Sequence, residues 1–138
     1  MIDRIFLDTN IWVYLFSDDE EKRKSVSDLI RDNFKKIHVS SQVLGELFNV
    51  LTKKKITGIE KAQEIVFRIS DDFPVIPIDK EIVKKAVELK LRYGYSYWDS
   101  VILASALICQ CAICYSEDLQ HSQLIDERLK ILNPFEKK

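Results

Sequence analysis

Short apolar runs rich in strand formers alternate with longer stretches of helical periodicity along the whole chain, and this alternation limits the possible folds more than any other feature. The first run, "IFLD", ends in Asp-Thr-Asn and passes directly into "IWVYLF", a buried helix by its pattern. "DDEEKRKSVSDLIRDNF" opens with acids and spaces Val26, Leu29, Ile30 and Phe34 along one face of a surface helix. A second strand, "KIHVS", precedes "SQVLGELFNVLTKKK", where Val43, Leu44, Leu47, Phe48 and Leu51 recur at three and four and the closing lysines suit a helix C-terminus. After Gly58, residues Ala62, Ile65, Val66 and Ile69 mark another helix, and the prolines of "FPVIPI" confine that run to a short or edge strand. Asp79 caps a helix that carries Ile82, Val83, Ala86, Val87 and Leu89 inward and stops at Gly94. "SYWDSVILASALICQ" is apolar on nearly every side, as in a central helix; the buried strand "AICYS" and a last short strand in "LKILNPF" follow.

Strands separated by helices predict a three-layer α/β/α sandwich with a mostly parallel central sheet, one domain over residues 1–138. With 46% hydrophobic and 31% charged residues the chain can bury a core of its own, and three Gly with three Pro leave little room for linkers. No positively charged leader precedes the first apolar run, and the uncharged stretch Ser100–Ser116 is shorter than the roughly 20 residues of a spanning helix. The expectation is a cytoplasmic protein with no membrane contact. Cys109, Cys111 and Cys114 fall in that apolar stretch and read as buried reduced thiols, not zinc ligands. A net charge of −1 argues against coating nucleic acid by charge alone, although a bound cation can supply positive charge locally.

In an open α/β sheet ligands bind beyond the carboxyl ends of the strands. Asp8 ends the first strand and Asp118 closely follows "AICYS". Asp99 lies in the first turn of the central helix, and Glu46 flanks the apolar stripe of the helix after "KIHVS". Each has a structural reading: Asp8 as a cap, Ser96 to Asp99 as a capping box, Asp118 as a turn former, Glu46 as an exposed helical acid. Four carboxylates on one sheltered edge, with no basic residue interleaved in their motifs, would nevertheless repel one another. A hard dication, Mg²⁺ or Mn²⁺, resolves that conflict, because it takes oxygen ligands and is held by one or two carboxylates plus substrate phosphate. Such a cation lowers the pKa of a coordinated water and stabilises charge on phosphoryl oxygens, the chemistry of phosphodiester hydrolysis.

Together, "FLDTN", "LGELFNVL", "YWDSVILASAL" and "YSEDLQH" resemble the PIN-domain ribonucleases, in particular the VapC-type toxins of bacterial and archaeal toxin–antitoxin pairs. The likeness covers nearly the whole chain. It implies Mg²⁺- or Mn²⁺-dependent cleavage of RNA, homodimerisation, and inhibition by a small antitoxin. Carried over, Asp8, Glu46 and Asp99 match the metal-binding acids and Asp118 a more variable fourth, while Asn10 and Ser116 match polar positions beside them. One departure stands at Ser122, where relatives typically carry Gly, a residue free to take the positive φ that Ser resists.

Other residues have two readings. His121 is placed to touch phosphate or move a proton, or to be a surface polar group; His38 reads as a packed strand residue. Lys53, Lys54 and Lys55, like Lys80, Lys84 and Lys85, fit an RNA backbone or serve their own helices. Trp12, Tyr14, Phe16 and Trp98 suit base stacking, the core or an interface, and the apolar surplus around the first helices suits a dimer seam or antitoxin groove. Two competing classes remain: a non-catalytic RNA- or partner-binding module whose acids are caps, and a phospho-receiver domain. The second lacks an acidic pair directly after the first strand, since Asp18 and Asp19 come a helix later.

Overall fold

The computed structural model describes residues 3–136. In chain order it contains β1 (Arg4–Leu7), α1 (Thr9–Tyr14), α2 (Glu20–Asp32), β2 (Ile37–Ser40), α3 (Ser41–Lys53) and α4 (Ile59–Asp72). Then come β3 (Val75–Ile76), α5 (Lys80–Tyr93), α6 (Tyr97–Ile108), β4 (Cys111–Tyr115), β5 (Leu124–Ile125) and β6 (Leu129–Leu132). One sheet holds all six strands in the order β3-β2-β1-β4-β6-β5, parallel except for β5 against β6. The order grows away from β1 through β2 and β3, then returns to its other side with β4. Parallel connections take a right-handed crossover, so connections on the two sides of β1 put helices on opposite faces of the sheet, the α/β/α sandwich expected. The reversal leaves a crevice at the carboxyl ends of β1 and β4, where Asp8 and Ser116 stand.

Local chemistry explains the element ends. Asp19, Ser40, Asp79 and Ser96 each accept a backbone N–H of the turn they open, and Gly94 closes α5 in the left-handed conformation at φ 81°. The core joins Ile5, Phe6 and Leu7 of β1 to α6, which is buried from Ser100 through Leu107. Flanked by Pro74 and Pro77, β3 is a two-residue edge strand.

The structure differs from the sequence reading in four places. Helix α2 ends at Asp32, so Phe34 leaves the face that Val26, Leu29 and Ile30 share and stands exposed in the turn before β2. Only Ile82, Ala86 and Leu89 of the α5 stripe face inward, while Val83 and Val87 are exposed, because five apolar positions span a wider arc than the face the core covers. Ile11 and Trp12 of α1 are buried, and the larger exposed apolar side chains lie on α4, α5, the first turn of α6, the edge strands β3 and β5 and the turn before β2, not around the first helices. Strand β5 has no counterpart in that reading. It joins β6 through Asp126 and Glu127, both at positive φ (50° and 59°), with Arg128 N–H donating to Ile125 O at 3.0 Å, a type I′ hairpin turn. Among the described residues, no helix is long and apolar enough to cross a membrane.

Candidate active site

Asp8 sits at the crevice because β1 ends there and its carboxylate opens α1. It is 6% exposed; Oδ1 accepts the Thr9 N–H at 2.7 Å and Oδ2 accepts the Ser116 hydroxyl at 2.8 Å. Burial pushes its carboxyl up to about 6; the bonds from Ser116 and Thr9 oppose the rise, and the charges of Asp99 and Glu46 add to it. Asp8 is thus both a cap and an acid under electrostatic pressure.

Glu46, Asp99 and Asp118 line the same open cavity as Asp8, of about 610 Å³. The second turn of α3 presents Glu46, whose Oε1 accepts the Thr9 hydroxyl at 2.7 Å and whose Oε2 accepts Gln42 Nε2 at 3.3 Å. The same Gln42 nitrogen donates to Trp98 O at 3.2 Å and so ties α3 to the start of α6. There Ser96 Oγ caps the Asp99 N–H at 3.1 Å, and among the described residues no donor reaches the Asp99 carboxylate. Asp118 Oδ2 accepts Asn10 Nδ2 at 2.9 Å, while Asn10 Oδ1 accepts the Glu117 N–H at 3.3 Å. The buried Ser116 hydroxyl, besides donating to Asp8, accepts the N–H groups of Asp118 and Leu119. Asn10 and Ser116 therefore orient the acids. Among the described residues none of the four carboxylates forms an ion pair.

Other candidates fall elsewhere. His121 does not line the cavity: its Nδ1 accepts the Asn133 N–H at 2.9 Å and holds the loop against the end of the chain. His38 is half-buried in β2, its Nδ1 at 3.0 Å from Lys36 O. Trp12 is in the core against Phe73, and Tyr14 and Phe16 pack half-buried against it, whereas Trp98 is 60% exposed beside Asp99. Lys85 serves Asp126 and Glu88. Cys111 and Cys114 are buried and Cys109 half-buried, all three as free thiols, with 3.6 Å between the Cys109 and Cys111 sulfurs. Ser122 adopts φ 69°, the conformation that makes Gly the easier residue there.

Two residues of the cavity escaped sequence reasoning, Thr9 and Glu117, and a third, Lys54, is one of three consecutive lysines with two readings. Thr9 stands inside the quoted "FLDTN" and works by bonding Glu46. Glu117 neighbours Asp118 but is neutralised: Lys22 Nζ lies 2.6 Å from Oε2 and the Tyr14 hydroxyl donates to Oε1 at 2.6 Å. Burial would raise Glu117, yet these bonds hold its carboxyl below the usual range. Lys54 is the basic residue of the lining, although the acidic motifs themselves carry none.

The donor set tests the fit of a dication. All the candidate ligands are hard carboxylate oxygens, and Asp8 is held in a state that positive charge would relieve. Among the described residues no three His, Cys, Asp or Glu side chains stand ready to hold one ion unaided. Mg²⁺ and Mn²⁺ do not need such a cage, since they keep waters and use few carboxylates. The residues fit such a cation.

Compared with curated proteins by sequence, the chain has no match. Among solved structures it superposes on a toxin–antitoxin complex from Klebsiella pneumoniae with a TM-score of 0.74 at 20% identity, covering 96% of this chain and 99% of that one. VapC20 of Mycobacterium tuberculosis, described as a sarcin–ricin loop cleaving toxin, gives 0.69 at 22% identity, covering 83% and 89%. VapBC2 from Rickettsia felis, solved with a DNA fragment of its promoter, gives 0.70 at 20%, covering 94% and 98%. At these identities the likeness is one of fold. The PIN domain profile matches residues 5–127, and with a match over most of its length the chain belongs to the PIN domain family.

Proposed function

We propose that this protein is a dication-dependent endoribonuclease, the toxin of a toxin–antitoxin pair, which works as a homodimer and is restrained by a small antitoxin protein. One observation carries the reading: Asp8, Glu46, Asp99 and Asp118 share a cavity, among the described residues none of them has an ion-pair partner, and the most sheltered is pushed up to about 6. Membership of the PIN family and the likeness to toxin structures, one of them described as a sarcin–ricin loop cleaving toxin, support nucleic-acid hydrolysis. A partner protein is supported by those complexes and by α5, which exposes Val83, Val87 and Leu91 four residues apart on one face.

Asp8 and Asp99, with Glu46 and Asp118, would hold Mg²⁺ or Mn²⁺. Bound there, the cation would supply an acidified water and stabilise charge on the phosphoryl and leaving oxygens. The chain does the positioning. Thr9 and Gln42 fix the two oxygens of Glu46, the Thr9 N–H and Ser116 those of Asp8, and Asn10 one of Asp118, so three of the four acids are oriented by neutral donors.

A second reading has its own observation: Asp8 does cap α1 and Ser96 does cap α6, as in a non-catalytic RNA- or partner-binding module. Purified protein incubated with labelled RNA separates the two. The nuclease reading expects cleavage with Mg²⁺ or Mn²⁺, its loss with EDTA, and its loss in Asp99→Asn. RNA bound but intact, with a thermal melt indifferent to Mn²⁺, overturns it in favour of the binding module.

A further inference from the structure

We propose that Lys54 grips a backbone phosphate flanking the one that reacts, as a substrate-positioning residue; the inference rests on the nuclease reading above. Five carboxylates line the cavity, and Glu117 is already matched by Lys22. Lys54 is the only basic residue of that lining among the described residues, and it forms no ion pair there.

A lysine facing so many acids and pairing with none needs a reason, and α3 provides it. Glu46, Val50 and Lys54 follow one another at four-residue steps along one helix face, and all three line the cavity. Eight residues separate the acid from the base by about 12 Å along the helix axis. Glu46 is also held back at its own end by Thr9 and Gln42.

The backbone of Lys54 is fixed just as firmly. It is the C-cap of α3, closed by Lys55 N–H to Thr52 O at 3.1 Å and Ile56 N–H to Leu51 O at 3.0 Å, the paired bonds of a Schellman motif. Lys55 takes the left-handed position at φ 55°, and Ile56 then packs against the core beside the cavity. The cap places Lys54 in the cavity wall, while its lysine neighbours Lys53 and Lys55 lie outside it.

An ammonium is a compact charge with three donors, suited to a phosphate oxygen. A polyanion entering an acid-lined crevice is repelled except where positive charge is offered. A dication among the carboxylates would supply one such point and Lys54 a second, rooted about 12 Å further along α3 and so placed for the neighbouring phosphate. Its contribution is therefore to binding and register, not to the chemical step.

The experiment uses the full chain and a fluorescein-labelled single-stranded RNA oligonucleotide, with Mn²⁺ for cleavage and Ca²⁺ for equilibrium binding over a salt series. Wild type is measured first. In Lys54→Met, KM and Kd should rise roughly tenfold with kcat held within about twofold, and the slope of log Kd against log salt should fall by about 0.7, one phosphate contact on a single strand. Lys54→Arg should restore most of the binding. Lys53→Met, one residue away and off the cavity wall, should leave KM and the slope unchanged. Lys54→Gln replaces the Met variant should the latter melt below wild type. The proposal is overturned if Lys54→Met binds and cleaves as wild type does, if it lowers kcat at constant KM, or if Lys53→Met moves the salt slope equally. RNA neither bound nor cut by the wild type would instead bring down the nuclease reading, and Lys54 with it.

Discussion

Asp126 and Asp8 are both sheltered carboxylates, joined by the segment that runs from Ser116 to the β5–β6 turn, yet their surroundings are opposite. Asp126 Oδ2 lies 2.7 Å from Lys85 Nζ, and its Oδ1 accepts both the Arg92 guanidinium and the Tyr93 hydroxyl. Burial raises its pKa, but the bonds from Lys85 and Arg92 outweigh that and hold the carboxyl below its usual range. Among the described residues Asp8 receives only a hydroxyl and an amide N–H, and it is pushed up to about 6. Where an acid serves the fold, the fold brings cations to it. Where acids are gathered and left without them, the nuclease reading has the missing charge arrive with a ligand.

The cavity itself contains both kinds of acid, which gives the sharpest way to break this division. Asp8→Asn and Asp99→Asn should each lower single-turnover cleavage of RNA by roughly 10³-fold, about 4 kcal/mol of transition-state stabilisation. The double variant should fall little further, because ligands of one ion act as a unit. Glu117→Gln lines the same cavity but removes a carboxylate already neutralised by Lys22, and should lose less than about tenfold. Equal losses from all three would show that pairing does not distinguish them.

Stability against pH offers the next largest effect. The carboxyl of Asp8 titrates near 3.8 when unfolded and at about 6 when folded, so the folded chain keeps a proton that the unfolded chain has released. Its stabilising contribution is complete below pH 3.8 and is lost as pH rises through about 6, roughly 3 kcal/mol in all and about half of it between pH 5 and 7.5. Asp126 and Glu117, with lowered values, act in the opposite sense and only in more acid solution. Urea unfolding of metal-free wild type and Asp8→Asn over pH 5–7.5 should show the wild type losing ground to the variant. Mn²⁺ at pH 7.5 should restore the wild type and leave Asp8→Asn unmoved. A pH-independent difference between the two would mean that Asp8 is ordinary.

How much of this is legible in sequence depends on the range of the interaction. Parallel strands covered on both faces read as continuous apolar runs, so β1, β2, β4 and β6 stand out. β5 does not: it is two residues long, and its type I′ turn is made by Asp126 and Glu127 where Asn-Gly is the usual signal. Asp8 is conspicuous because a charge in an apolar run is costly, and Asp99 because it opens a helix with no other polar face. Thr9 and Glu117 take their roles from partners 37 and 95 residues away, a distance that no local periodicity encodes. The same holds for Lys54, one of three consecutive lysines until the α3 cap selects it.

Removing the paired acid should damage the fold and spare the chemistry. Asp126→Ala leaves Lys85 with only its longer pairing to Glu88 among the described residues, frees Arg92, which is largely hydrated already, and leaves Ala at a positive φ; about 2 kcal/mol of stability should be lost. Asp126→Asn tolerates that backbone and keeps the Tyr93 bond, so it should lose about half as much. Denaturant midpoints measure both, and the stabilisation of each variant by Mn²⁺ should match that of wild type. A diminished Mn²⁺ response would mean that the two acidic regions are coupled through the loop between them.

That loop provides the smallest effect and the most selective one. Ser122 holds φ 69° because its neighbours are pinned on both sides: its own N–H donates to Ile131 O at 2.8 Å, and Ile131 N–H donates to Gln123 O at 2.9 Å. An L residue in this conformation is disfavoured by roughly 1–2 kcal/mol, whereas Gly adopts it freely but gives the unfolded chain more freedom, worth roughly 0.5–1 kcal/mol. The difference leaves Ser122→Gly more stable by about 0.5 kcal/mol, a rise in Tm of about 2 °C. Because Ser116 and Asn10 set Asp118 from the other end of the loop, RNA cleavage and the Mn²⁺ response should stay at wild-type levels. A variant that melts higher but cleaves less would show that the strain at Ser122 helps to hold Asp118 toward the cavity, and would extend the functional half of the comparison four residues further along the chain.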